Sequence, residues 1–238
     1  MPSVYLIGDS TVDTAQEPCR GWGWAFPRYV REGVSVENHA ASGRSSRSFR
    51  EEGRFEPVRA GMKAGDLLLI QFGHNDEKDD ERHTDPETTY TGELRGYCQA
   101  ALDAGALPVL ITSVSRRFFV GRTSLMYTHG EYPRAVRVLA GEMGLPLCNL
   151  ELDSRRLYLT LGEEEAITLF VRKGPGEDPN HPEGCVDATH FCARGSAMIA
   201  GLVAAELSAD ARCAGFLREN WRQTAVDSGV PEALLPAR

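Results

Sequence analysis

Five short apolar runs, separated by stretches with helical spacing, constrain this chain more than any other feature. Val4-Tyr5-Leu6-Ile7 ends at Gly8, and comparable runs occupy residues 34–38, 67–72, 107–112 and 145–150. The first, an unbroken apolar run, reads as a strand buried on both faces, and the others read as further strands. Between them, residues 90–104 set Tyr90, Leu94, Tyr97, Ala101 and Leu102 largely on one helical face, and residues 132–143 do the same with Ala135, Val136, Leu139 and Met143. Strands alternating with helices pair in parallel, and right-handed crossovers cover both faces of the sheet. The predicted architecture is a three-layer α/β/α sandwich around a five-stranded, mostly parallel sheet. Gly8-Asp9-Ser10 and Gly73-His74-Asn75-Asp76 then fall just beyond strand carboxyl ends, where such sheets gather their reactive groups.

After the fifth run, residues 153–161 and 163–171 read as helical, and residues 173–185, rich in Gly, Pro and acid, read as an exposed loop. His190 follows that loop and precedes a last main helix over residues 193–207. Residues 208–238 form an extension that either wraps the surface or meets another subunit, which leaves the oligomeric state open. With 238 residues and no stretch of linker composition, a single domain over 1–238 is expected. The net charge of −8, with arginines interspersed among acids, argues against nucleic acid as a partner. No apolar run approaches the roughly 20 residues of a spanning helix, so no membrane partner is expected. Met1 and Pro2 lead straight into the first strand without a leader pattern, which gives a cytoplasmic location as the expectation, with the six scattered cysteines as thiols.

Ester hydrolysis by a serine needs a nucleophile, a base, a group that orients the base, and donors for the oxyanion. Ser10 follows a buried strand and can present its hydroxyl at the open end of the sheet. Asp187 lies three residues before His190, within reach of Nδ1, leaving Nε2 as the base. Asn75 carries a side-chain N–H, and Gly43 lets a backbone N–H approach the same point without a Cβ; with the Ser10 amide these make three oxyanion donors. Taken singly, each has a plainer explanation: serine and aspartate cap helices, and glycine and asparagine make turns.

Their order along the chain carries more weight. Gly-Asp-Ser, Ala41-Ser42-Gly43-Arg44, Gly-His-Asn-Asp and Asp-Ala-Thr-His together resemble the SGNH, or GDSL, hydrolase family over residues 3 to about 207. The name-giving residues would be Ser10, Gly43, Asn75 and His190, with Asp187 completing the triad. The resemblance implies a flavodoxin-like sandwich, an acyl-serine intermediate and no metal or organic cofactor. Gly21-Trp22-Gly23-Trp24, residues 43–49 and residues 112–117 are similar to the rhamnogalacturonan acetylesterase branch. Members often have proline where Ser113 stands, and the well-known fungal ones are exported. The implied substrate is an acetylated sugar or oligosaccharide, pectin-derived or related.

Supporting roles are open for Asp9, His74 and Asp76, which can organise the loops. Arg47, Arg116 and Arg117 can bind uronate carboxylates bidentately or pair with local acids. Trp22 and Trp24 can stack on a sugar or anchor the core. Four other readings compete. Asp9, His74, Asn75, Asp76 and His190 are ligand types of two-metal phosphoesterases, although the order of motifs here differs from theirs. His181, Cys185, His190 and Cys192 lie close in sequence but match no closed zinc pattern, and a metal there would take the base from Ser10. A non-catalytic carbohydrate-binding protein would have lost the triad residues, which are all present. The common α/β-hydrolase fold calls for Gly-x-Ser-x-Gly, which does not occur.

Overall fold

The computed structural model describes residues 1–14, 18–177 and 182–237. Its strands are β1 (Ser3–Gly8), β2 (Ser35–Asn38), β3 (Leu67–Gln71), β4 (Leu107–Ile111), β5 (Phe119–Val120), β6 (Ser124–Leu125), β7 (Leu147–Cys148), β8 (Phe170–Lys173) and β9 (Cys185–Phe191). The helices are α1 (Trp22–Ala25), α2 (Ser46–Glu51), α3 (Glu56–Gly61), α4 (Thr91–Asp103), α5 (Tyr132–Met143), α6 (Leu150–Leu161), α7 (Glu163–Ala166), α8 (Ala193–Ser208), α9 (Ala211–Ala214) and α10 (Trp221–Asp227).

A five-stranded parallel sheet in the order β2-β1-β3-β4-β7 forms the middle layer. Successive side chains of a strand point to opposite faces, so the inner strands β1, β3 and β4 each feed two cores, while the edge strand β2 stays partly exposed. Val4, Leu6, Leu67, Leu69, Val109 and Ile111 face α1, α6 and α8. Tyr5, Ile7, Leu68, Ile70 and Leu110 face α2, α3, α4 and α5. The expected three-layer sandwich is therefore present. From β1 the chain crosses to β2 on one side and returns to β3 on the other, which opens a crevice at the carboxyl ends of β1 and β3.

Some local expectations fail, each for a physical reason. The fifth strand is only Leu147–Cys148, with Leu150 already opening α6. Helix over residues 163–171 stops at Ala166, passes through a 3₁₀ turn at Ile167–Leu169, and gives way to β8. Phe170 and Val171 suit a strand, and antiparallel pairing with β9 overrides the helical spacing. Asp187 and His190, expected after the loop, consequently sit in β9, and of the expected loop over 173–185, residues 178–181 lie outside the described residues. Leu102, one position past the buried Ala101, turns to solvent.

Residues 208–237 wrap the surface as one of the two readings anticipated. Leu217 bridges to Val30, and Cys213, Leu217, Ala225, Val230 and Leu235 join the core beside α8. Among the described residues no helix is long and apolar enough to cross a membrane. The six cysteines are free.

Candidate active site

The Ser10 turn rests on a buried chain of hydrogen bonds. The amides of Val12 and Asp13 donate to the Asp9 carbonyl at 3.1 and 3.0 Å, which curls the backbone immediately after β1. The Asp9 carboxylate accepts from the Thr11 amide (2.9 Å) and hydroxyl (2.7 Å). Gln71, at the end of β3, donates to the Thr11 hydroxyl at 2.6 Å and accepts from the Trp22 indole at 2.9 Å. Trp22 is fully buried, so it holds this chain from below and is no platform for a sugar. Its indole N–H needed a partner inside the core, and Gln71 supplies one. A glutamine closing the apolar run of β3 was the sequence signal for such a partner.

Asp187 and His190 come together through an irregularity of β9. In a regular strand, residues three apart point to opposite faces. Here Phe170 pairs with Phe191 and Arg172 with Val186, so residues 187–190 all oppose the single Val171. The bulge is tied by the Asp187 carboxylate, whose Oδ1 accepts from the Thr189 amide (2.6 Å) and the His190 amide (3.0 Å). Its Oδ2 lies 2.7 Å from His190 Nδ1, and His190 Nε2 lies 3.0 Å from Ser10 Oγ. Burial pushes the Asp187 carboxyl up, but its hydrogen bonds to the His190 ring and backbone prevail and hold it at about 2. The same Asp187 bond raises His190 above its ordinary value against the opposing effect of burial.

Gly43 and Asn75 converge from the loops after β2 and β3. Gly43 has φ +82°, a left-handed conformation that glycine adopts without strain. Among the described residues the amides of Ser10 and Gly43 have no acceptor within the protein. The Asn75 amide nitrogen donates to the Arg44 carbonyl at 3.1 Å, and its oxygen accepts from Arg82 at 3.3 Å. Arg82 thus fixes which way the amide faces and leaves the second N–H for a ligand. Arg82 also donates to the Gly43 carbonyl at 3.4 Å, clamping the two loops together. Sequence reasoning passed over Arg82, because nothing in Glu81-Arg82-His83 marks it.

The remaining candidates divide. Burial drives the carboxyls of both Asp9 and Asp76 up to about 6. Asp76 accepts from the Ser46 amide (2.9 Å), the Ser46 hydroxyl (2.5 Å) and the Thr84 hydroxyl (3.0 Å), so it joins α2 to the β3 loop. His74 is buried and shares a 3.0 Å ring-to-ring hydrogen bond with His129, a residue that no sequence motif marks. Burial lowers both imidazoles, His129 to about 3, so the pair is neutral. Gly73 permits the tight approach of this loop, since a Cβ there would lie 2.1 Å from the Ser113 hydroxyl. That hydroxyl donates instead to the Phe72 carbonyl at 2.8 Å.

Among the arginines, Arg47 donates to the Glu81 carbonyl and Arg117 lies 5.4 Å from the centre of the Phe170 ring, so both are engaged structurally. Arg116 pairs with Glu77, and its charge bears on His190, His74 and His129. Among the described residues no group of three His, Cys, Asp or Glu side chains converges to hold a metal ion. His181, named in the zinc reading, lies outside the described residues, and His190 is bonded to Ser10 and Asp187.

A parallel three-layer sheet with a serine–histidine–aspartate chain at its carboxyl end has the makeup of a serine ester hydrolase. Residues 6–197 match the model of the GDSL-like lipase/acylhydrolase family. The chain belongs to that family and is a carboxylic ester hydrolase. It is 44% identical over 204 residues to rhamnogalacturonan acetylesterase RhgT of Bacillus subtilis (strain 168), covering 84% of this chain and 87% of the relative. It is 29% identical over 221 residues to a rhamnogalacturonan acetylesterase of Emericella nidulans, covering 83% and 81%. Among solved structures, the Bacillus subtilis protein YxiM superposes with a TM-score of 0.75 at 24% identity, over 87% of this chain. This chain spans 56% of that longer one, and the likeness is one of fold.

Proposed function

We propose that this enzyme removes O-acetyl groups from pectin-derived, rhamnogalacturonan-type or related oligosaccharides through an acetyl-serine intermediate, with the whole chain acting as one unit. The observation that carries the chemistry is the continuous run from Ser10 Oγ to His190 Nε2 (3.0 Å) and from Nδ1 to Asp187 (2.7 Å). The substrate class is supported by the names of the two acetylesterase relatives.

In this reading neutral His190 takes the Ser10 proton as Oγ attacks the acetyl carbonyl. The amides of Ser10 and Gly43 and the side chain of Asn75 hold the oxyanion. His190 then protonates the departing sugar oxygen, and water attacks the acetyl-serine by the reverse route, releasing acetate. In this reading Arg116 meets a uronate carboxylate of the substrate in exchange for its Glu77 partner.

The test measures aryl acetate hydrolysis and acetate release from acetylated rhamnogalacturonan oligosaccharides, by wild type and Ser10→Ala, with and without a strong chelator. Chelator-insensitive activity lost in a folded Ser10→Ala variant is expected. Activity that survives in Ser10→Ala, or that the chelator abolishes, would overturn the triad assignment and favour a metal phosphoesterase-type site.

A further inference from the structure

The β5–β6 hairpin carries an exposed apolar surface that the triad does not use. Phe118, Val120, Met126 and Tyr127 are 45%, 54%, 53% and 75% exposed, and the Met126 amide donates to the Phe118 carbonyl at 2.8 Å, which keeps the two arms together. Exposed apolar side chains gathered on one hairpin can mark a binding site. Both stems of the hairpin are tied to the catalytic residues' own neighbours. On one side the Arg117 amide donates to the Ala188 carbonyl at 2.9 Å, inside the bulge between Asp187 and His190. On the other, Arg116 donates to the Thr128 carbonyl at 3.4 Å, and the adjoining His129 is bonded to His74, next to Asn75. The hairpin is thus an outgrowth of the rim of the active site.

Tyr127 differs from an ordinary exposed tyrosine because it is held. The guanidinium carbon of Arg155 lies 3.7 Å from the centre of its ring. Arg155 is itself only 7% exposed, and it donates to the carbonyls of Met126 (2.9 Å) and Leu125 (2.6 Å). A buried cation, fixed by two successive carbonyls of the β6 arm, therefore backs one face of the ring and leaves the other open. An aromatic ring already immobilised before binding loses little conformational freedom when a ligand covers it. Its open face is apolar and flat, and its hydroxyl is polar, which matches the C–H face and hydroxyl edge of a pyranose ring.

We propose that Tyr127, braced by Arg155, is the stacking platform for a sugar residue beyond the one that carries the acetyl group. The assignment rests on the acetylesterase reading above and deepens it: the triad recognises the ester, and the hairpin recognises the chain on which it stands. Tyr127 touches no reacting atom, so it sets preference for longer substrates and not the chemistry.

The experiment compares kcat/KM of wild type, Tyr127→Ala and Tyr127→Phe on an aryl acetate, an acetylated monosaccharide and an acetylated rhamnogalacturonan oligosaccharide. Thermal unfolding checks that each variant is folded. Tyr127→Ala is expected to lose about tenfold on the oligosaccharide, mostly through KM, with the two small substrates unchanged, and Tyr127→Phe is expected to restore most of the loss. Equal loss on all three substrates, or none on the oligosaccharide while wild type deacetylates it, overturns the platform and leaves the acetylesterase intact. A wild-type enzyme that cleaves the aryl ester but no acetylated sugar overturns both.

Discussion

The Asp13 carboxylate accepts both the amide (3.0 Å) and the hydroxyl (2.7 Å) of Ser42 through the same oxygen, Oδ2. The first residue lies three positions after Ser10 and the second immediately precedes Gly43, so one carboxylate ties together the loops that carry the two backbone amides proposed to hold the oxyanion. An oxyanion donor displaced by a fraction of an ångström loses much of its effect, because its contribution depends on being aimed before charge develops. Asp13→Ala should lower kcat by about tenfold to a hundredfold with KM little changed and the fold intact. Steady-state kinetics beside a thermal melt decide it, and an unaltered kcat would show that the Gly43 loop holds its place without Asp13.

The pH profile follows from two shifts of opposite direction. His190 must be neutral to accept the Ser10 proton, and Asp187 raises its pKa, so kcat/KM is expected to rise through an apparent pKa above the ordinary histidine value of about 6.5. Asp187→Asn should move that limb to lower pH and cut kcat by roughly 10⁴, the size of the effect in the triad proteases. Stability has its own window. A depressed Asp187 contributes above its unfolded value near 3.9 and loses that contribution as pH falls towards about 2. A raised His190 contributes fully below about 6.5 and loses it as pH rises through the folded value. The pair should therefore stabilise most between about pH 4 and 6.5. Denaturant melts of wild type and Asp187→Asn across that range should differ most inside it; a constant difference from pH 2 to 9 would refute the linkage.

Asn75 has one amide proton committed to the Arg44 carbonyl and the other left for the proposed oxyanion contact. Asn75→Ala should cost about a hundredfold to a thousandfold in turnover. Arg82→Met should reproduce a smaller part of that loss, since the amide then keeps its position but loses the partner that fixes which atom faces the site. A wild-type rate in Asn75→Ala, measured on an aryl acetate, would remove this side chain from the oxyanion site.

Trp22 separates stability from recognition. Trp22→Phe keeps most of the apolar volume but strips Gln71 of its indole donor, leaving a buried amide oxygen unpaired. A loss of about 1–3 kcal/mol in unfolding free energy is expected, with KM for acetylated oligosaccharides essentially unchanged. A large rise in KM without loss of stability would return the residue to the sugar site.

The sheet was legible because β1, β3 and β4, buried on both faces, are nearly continuous apolar runs with helical spacing between them, whereas the edge strand β2 is half polar and only partly buried. The candidate residues Ser10, Gly43, Asn75, Asp187 and His190 could be picked out because each stands in a short motif whose local backbone is set nearby. Residues 163–171 were misread for the complementary reason: Phe170 and Val171 take their conformation from β9, a partner some twenty positions away that no local window contains.

The sequence alone determined the alternation of elements, the chemical types at the site and their order. Tertiary structure decided the rest. The three-residue spacing of Asp187 and His190 says only that they are near; the opposition of residues 187–190 to the single Val171 turns their side chains onto one path to Ser10. Trp22 was open to either role until Gln71, 49 positions away, took its indole proton in the core. Arg82, His129 and Arg155 had no signature at all, because a clamp between two loops, a neutral imidazole pair and a brace behind an exposed ring are properties of what the fold brings together. Hydrogen bonds depend on ångström separations in space, and chain order bounds such separations only over a few residues.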